Sequence, residues 1–269
     1  LNKRVGVLGC GWLGLPLAKS LIKNSYNING STTNKEKLTV LKDEGIEPFL
    51  ISLSPNKIDG DIQGFLSDID ILIINIPPRL RGSIQESFVD KMKLLYKAIQ
   101  TCEVSKVIFI SSTAVYGAAE GTITEDTVPK PVTESGRQLL ASERIFVEDA
   151  SLNATIIRFG GLIGPKRHPV TLLSGRKNLT NGNDPINLIH LEDCTQMIQT
   201  IIQNDYWGQL FNGVYPHHPS KKVYYTSEAT QRGFSAPHYS NDSNMQIGKI
   251  VSSKNFLDKG HEFHTAITS

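Results

Sequence analysis

Lys3-Arg4-Val5-Gly6-Val7-Leu8-Gly9-Cys10-Gly11-Trp12-Leu13-Gly14 is a short apolar stretch that runs without a spacer into G-x-G-x-x-G. Each glycine answers a separate demand: Gly9 permits a tight turn off a strand, Gly11 lets backbone approach a pyrophosphate, and Gly14 lets a helix lie close to a sheet. Leu13, Leu17 and Leu21, with Ala18 and Ile22, recur at helical spacing, so Trp12 to Lys23 is expected to be an amphipathic helix. Its unpaired N–H groups and positive dipole end make an anion site that needs no cationic side chain. Strand, turn and helix in this order point to a dinucleotide, with Gly9, Cys10, Gly11, Trp12, Leu13 and Gly14 as cofactor-binding candidates.

Working outward, the 269 residues suffice for a dinucleotide-binding domain with a smaller one appended. A net charge of +2, from 28 basic and 26 acidic residues, gives no reason to expect a nucleic-acid or membrane partner. Neither a membrane-spanning apolar run nor a signal-peptide pattern occurs, so the chain reads as soluble and cytoplasmic. Cys10, Cys102 and Cys194 match no disulfide or zinc spacing, and no metal site is expected. Cys10 has two readings: a small filler of the loop, or a thiol acidified by the helix N-terminus.

Past the first helix, strands and helices alternate. Tyr26 to Ser31 reads as the second strand, although it is polar for a buried one. An NAD site usually places an acid near the end of this strand to accept from the ribose hydroxyls. Here Ser31-Thr32-Thr33-Asn34-Lys35 holds hydroxyls, an amide and a cation, with no acid before Glu36. Ser31, Thr32, Thr33 and Lys35 are therefore cofactor candidates, and NADP is favoured over NAD; the bland reading is a polar turn with a solvated lysine. A helix over Lys35 to Glu44 and a strand over Glu47 to Leu53 follow. Asp70 to Pro78 is a continuous apolar run ending in a double proline, a buried parallel strand that stops at a ligand-facing edge near Ile76 and Pro77. A helix over Phe88 to Cys102 and a strand over Lys106 to Ile110 continue the pattern. The fold class is α/β, with a doubly wound parallel sheet and right-handed crossovers.

The strand from Val107 runs into Ser111-Ser112-Thr113-Ala114-Val115-Tyr116-Gly117. Arg158 to Pro165, Asn187 to Asp193 with its I-H-x-x-D, and Gly208 to Gly213 with its G-x-x-F-N follow in order. Together these segments resemble the extended short-chain dehydrogenase/reductases, the NAD-dependent epimerase/dehydratase-like proteins that act on nucleotide sugars and related substrates. The glycine loop departs from them at Leu8, where members usually carry a further glycine. The resemblance implies an NAD(P)-binding Rossmann domain over 1–165, to which 186–204 returns, and a small C-terminal substrate-binding cap over 166–269. It also implies that Ser112 bonds a substrate hydroxyl or carbonyl. The group's Tyr-x-x-x-Lys pair, in which the lysine lowers the tyrosine pKa, falls on Ser135 and Leu139 and is missing. Tyr116 is then the tyrosine nearest the expected site, either shaping the pocket or serving as acid/base.

In the second half Lys166, Arg167 and His168, with Arg176 and Lys177 beyond, form a basic cluster where the group binds substrate. Such cations pair with a diphosphate, or are simply a solvated loop. Arg137 holds phosphate or ribose, or is a solvated helix face. Asp193 is expected to cap a helix over Cys194 to Gln203 with His190 packed nearby, and His217-His218 to border the pocket. A homodimer through the helices that follow Ile84 and Ser135 rests on the resemblance alone. The expected activity is an NADP- or NAD-dependent oxidoreductase or epimerase acting on a small-molecule substrate. The alternative is a dinucleotide sensor that has lost the chemistry.

Overall fold

The computed structural model describes residues 3–78, 86–240 and 248–268. Seven strands, Arg4–Leu8 (β1), Asn27–Thr32 (β2), Glu47–Leu50 (β3), Ile71–Ile74 (β4), Lys106–Ser112 (β5), Asn153–Phe159 (β6) and Leu210–Gly213 (β7), form one sheet. Its order is β7-β6-β5-β4-β1-β2-β3, and every pairing is parallel. The chain order reverses across β1 and β4, and this reversal opens the crevice in which ligands of such sheets sit.

Apolar runs without polar alternation are what two covered faces require, and the side chains divide accordingly. Val5, Val7, Ile71, Ile73 and Ile108 pack to one side with the helices Gly14–Lys23 (α1) and Leu191–Gln203, through Leu17, Leu21, Met197 and Ile198. Leu8, Leu72, Ile74, Val107 and Phe109 pack to the other with Phe88–Ile99 and Glu134–Val147, through Met92, Leu95, Leu139 and Phe146. A third, smaller cluster of Ile163, Val170, Ile186, Leu188, Tyr224 and Tyr225 sits in the C-terminal part under the helix Lys221–Gln231. No helix of the described residues is long and apolar enough to cross a membrane.

The polar β2 is buried because its polar groups are spent. Asn29 Nδ2 donates to the Phe65 carbonyl oxygen at 2.9 Å, and its Oδ1 accepts from Arg4 at 3.1 Å. One expectation is corrected at Leu191–Gln203. His190 is the N-cap, its Nδ1 accepting from the Glu192 N–H at 3.3 Å, so the helix starts earlier than a cap at Asp193 would allow. Asp193 lies inside the first turn, where its carboxylate accepts from the backbone N–H groups of His264 and Thr265 at 3.0 and 3.1 Å. That carboxylate ties the C-terminal segment to the sheet layer. Of the two helices implicated in dimerisation, Ile84 lies outside the described residues.

Candidate functional site

The glycine turn is built by contacts that leave no room for side chains. Gly9 has φ +105° and donates its N–H to Ser31 Oγ at 2.9 Å, while its carbonyl oxygen accepts from Asn75 Nδ2 at 3.0 Å. A Cβ on Gly14 would overlap that same carbonyl oxygen, so α1 can approach β1 only through glycine. Gly11 differs, because a Cβ there would meet no protein atom within 4 Å. Nothing in the chain itself therefore requires glycine at this position. Cys10 is buried, and burial pushes its thiol up to about 12, against a backbone hydrogen bond from the Ser31 segment. Burial favours the neutral thiol, which supports reading Cys10 as a filler of the loop.

A cavity of about 490 Å³ opens at the carboxyl ends of β1, β2 and β4, lined by Gly9, Cys10, Gly11, Asn75, Ile76 and Pro77 at one end. Its far end is formed by Ser31, Thr32, Thr33, Asn34 and Lys37, with Ile51, Ser52 and Lys91 beyond. Ser31 and Thr32 are buried, and the Ser31 hydroxyl braces Gly9. The cation differs from the one singled out in the sequence: Lys35 is exposed and lines no part of the cavity, whereas Lys37 does. The reason is local. Asn34 Oδ1 accepts from the Glu36 N–H at 2.9 Å and its carbonyl oxygen from the Lys37 N–H at 3.1 Å, a turn that brings Lys37 to the start of the helix Lys37–Asp43. Neither Trp12 nor Leu13 lines the cavity: Leu13 is in the core and Trp12 is half-buried.

At the end of β5 the residues of the second motif meet other partners. Ser112 is half-buried and its Oγ accepts from the Ala114 N–H at 3.2 Å, capping the 3-10 turn Thr113–Tyr116. Tyr116 is fully buried: its hydroxyl donates to Asn212 Oδ1 at 2.8 Å and accepts from Arg158 at 3.0 Å. Burial raises its pKa against the pull of Arg158 and Asn212, and its hydroxyl is engaged on both sides inside the core. Arg158 in turn forms a bidentate pair with Glu143, at 3.1 and 2.6 Å, and Glu143 accepts from Ser111 Oγ at 2.5 Å. The start of Glu134–Val147 abuts this turn, because a Cβ on Gly136 would come within 2.7 Å of the Ala114 carbonyl oxygen. Ser135 thus stands beside the turn where a tyrosine is expected, and Leu139 is packed into the core.

A cation does reach this turn, from a part of the chain that no motif marks. Lys249, on the short strand Lys249–Val251 paired with Gly121–Ile123, donates to the carbonyl oxygens of Gly117 at 2.5 Å and Thr113 at 3.4 Å. Burial lowers its pKa. It lines a second cavity of about 450 Å³ with Gly117, Glu120, Asn187 and Tyr225. Sequence reading missed it because the pairing of Lys249–Val251 with Gly121–Ile123 spans more than a hundred residues and leaves no local pattern.

The basic cluster separates. Lys166 and Arg167 are exposed, with Arg167 stacked on Trp12 at 4.9 Å. His168 is buried, bonded to the Tyr224 hydroxyl at 3.0 Å; burial holds its pKa down at about 4, helped by Arg232 and opposed by Glu228. A neutral imidazole inside the third cluster cannot pair with a substrate anion, which corrects its place in the basic rim. Arg137 is spent on Glu134 at 3.0 Å and the Val132 carbonyl oxygen at 3.1 Å, on the exposed start of its helix. His218 hydrogen-bonds the Ile186 carbonyl oxygen at 2.9 Å, and among the described residues no three His, Cys, Asp or Glu side chains gather as a metal site.

These features agree with the relatives of the chain. A family model described as NAD(P)H-binding matches residues 9–204. The Escherichia coli (strain K12) protein YeeZ is 34% identical over 250 residues, covering 93% of this chain and 91% of that one. An uncharacterized UDP-glucose epimerase of Bacillus subtilis, YtcB, is 22% identical over 220 residues, covering 71% and 70%. Among solved structures, MoeE5 in complex with UDP-glucuronic acid and NAD superposes with a TM-score of 0.78 at 19% identity, covering 98% of this chain and 95% of that one. The UDP-glucuronic acid 4-epimerase of Bacillus cereus in complex with NAD gives 0.77 at 17%, covering 98% and 92%. The chain belongs to the NAD(P)H-binding family and has the Rossmann fold of these epimerase-like proteins.

Proposed function

We propose that this member of the NAD(P)H-binding family is an NADP-preferring oxidoreductase or epimerase-like enzyme that acts on a hydroxyl or carbonyl carbon of a small, nucleotide-sugar-like substrate. The observation that carries the reading is the cavity itself. It runs from the glycine turn past Ile76 and Pro77 to a ribose end that holds Ser31, Thr32, Thr33, Asn34 and Lys37, with no carboxylate at the end of β2. A carboxylate there repels a 2'-phosphate, and a lysine with hydroxyls attracts one. When bound, the dinucleotide supplies hydride exchange at carbon. The chain holds it by backbone amides at the start of α1, excludes water with Ile76 and Pro77, and offers the Ser112 hydroxyl to the substrate oxygen. Substrates of the sugar-nucleotide class are suggested by what MoeE5 and the Bacillus cereus epimerase bind.

A second reading, a dinucleotide sensor without turnover, is favoured by one specific set of observations: Leu139 and Tyr116 are in the core and Ser135 stands in the tyrosine position. Incubation of the purified chain with NADPH or NADP and a panel of UDP-sugars, carbonyls and alcohols, followed at 340 nm for net redox and by proton NMR for epimers of unchanged mass, separates the two. Turnover that falls at least about 100-fold in Ser112→Ala, as loss of a positioned hydrogen bond to the reacting oxygen does, supports the enzyme. Tight NADPH binding with no turnover across the panel supports the sensor.

A further inference from the structure

Trp12, the residue after the middle glycine, is held from one side by a segment far along the chain. Its indole Nε1 donates to the Pro165 carbonyl oxygen at 3.0 Å, and the Arg167 guanidinium carbon lies 4.9 Å from the centre of its ring. A Cβ on Gly164 would come within 3.2 Å of Trp12 Cζ2, so the backbone of that segment lies against the indole. The delivering element is a tight hairpin in which the N–H groups of Gly164 and Arg167 each donate to the other's carbonyl oxygen at 3.0 Å. Lys166, at its tip, has φ +57°, a left-handed conformation that a side chain with a Cβ adopts only at a cost. The turn is thus fixed by the fold and is not a relaxed surface loop.

The charges make this placement specific. Among the described residues no carboxylate lies within ion-pair distance of Arg167, and its side chain is exposed. The glycine turn itself carries no cation, while a dinucleotide brings two negative charges to the amides that open α1. Trp12 contributes both sides of this match. Its backbone stands in the turn that faces the diphosphate, and its ring holds an uncompensated guanidinium. A planar guanidinium on an aromatic face keeps its N–H fork free for two phosphate oxygens.

Resting on the dinucleotide reading of the glycine turn, we propose that Arg167 is a cofactor residue that pairs with the diphosphate, and that the Gly164–Arg167 hairpin is the second wall of the phosphate site. Cofactor binding then adds a charge-assisted contact to those by which the hairpin already rests on Trp12. The basic cluster is divided between ligands by this assignment: Arg167 belongs to the cofactor, and Lys166 stays in solvent.

The test uses the full chain with two probes, NADPH and adenosine 2'-monophosphate, which keeps the ribose phosphate and lacks the diphosphate. Arg167→Met preserves the aliphatic cover over Trp12 and removes the charge. It is expected to weaken NADPH about 10- to 100-fold, the loss of one charge-assisted contact, and to leave adenosine 2'-monophosphate within about twofold. Arg167→Lys should recover part of the loss. If Arg167→Met leaves NADPH affinity unchanged while the parent chain binds it tightly, the proposal is overturned and the cofactor reading stands. Equal weakening of both probes also overturns it, since the hairpin would then be acting through the fold. A parent chain that binds neither probe removes the cofactor reading, and this assignment with it.

Discussion

The carboxyl edge of the sheet carries two motifs, and the structure treats them oppositely. At Gly9–Gly14 the protein spends its contacts on shaping a turn, and the space beyond Gly11 is left open. At Ser111–Tyr116 the polar groups other than Ser112 are turned inward. Ser111, Tyr116, Glu143, Arg158 and Asn212 satisfy one another in a buried chain of hydrogen bonds. Glu125 extends this chain through the Asn212 N–H at 2.8 Å, and burial lifts its carboxyl above the usual range. The difference teaches that a motif supplies residue types, whereas availability to a ligand is decided by who else has claimed the polar atoms.

The contrast is broken most sharply at Arg158. Arg158→Met strands the Glu143 carboxylate in the core and should cost about 3–5 kcal/mol in chemical denaturation. NADPH affinity of the folded fraction should stay unchanged, because the pair faces away from the cavity. A variant that keeps its stability but loses NADPH would join the two regions and end the comparison. Tyr116→Phe comes next: it leaves Asn212 and one Arg158 N–H without their partner, for about 1–3 kcal/mol. Turnover per folded molecule should be retained. Should stability hold while turnover disappears, Tyr116 reaches the reacting atoms and the closed region is closed in name only. The smallest effect is expected at the open end, where Lys37→Ala should weaken NADPH about tenfold and leave NADH within twofold, as removal of one partly solvated phosphate contact does. Equal changes for both nucleotides would place Lys37 outside the 2'-phosphate site.

The parts of this reading that were legible in the sequence are those with a short range. Glycines three and five apart can be justified by a turn, and apolar runs such as Ile71–Ile74 announce burial on both faces. That the Tyr-x-x-x-Lys pair falls on Ser135 and Leu139 is what the family resemblance implies, and no local pattern of this chain marks it. The choice between Lys35 and Lys37 was not legible, because two positions in one turn differ only through the Asn34 hydrogen bonds that set where the helix begins. His168 read as part of a basic rim until Tyr224, on a helix more than fifty residues away, was seen to bury it.

By itself the sequence determined the strand-turn-helix opening and the parallel α/β class, because backbone conformation and hydrophobic periodicity are local properties of the chain. Only the tertiary structure decided which charges are free. Arg158 and Arg167 are the same residue type nine positions apart, yet one is locked to Glu143 in the core and the other rests on Trp12 in solvent. Whether a charge is neutralised depends on partners brought together by folding, and the free energy of a charge follows its surroundings far more than its identity.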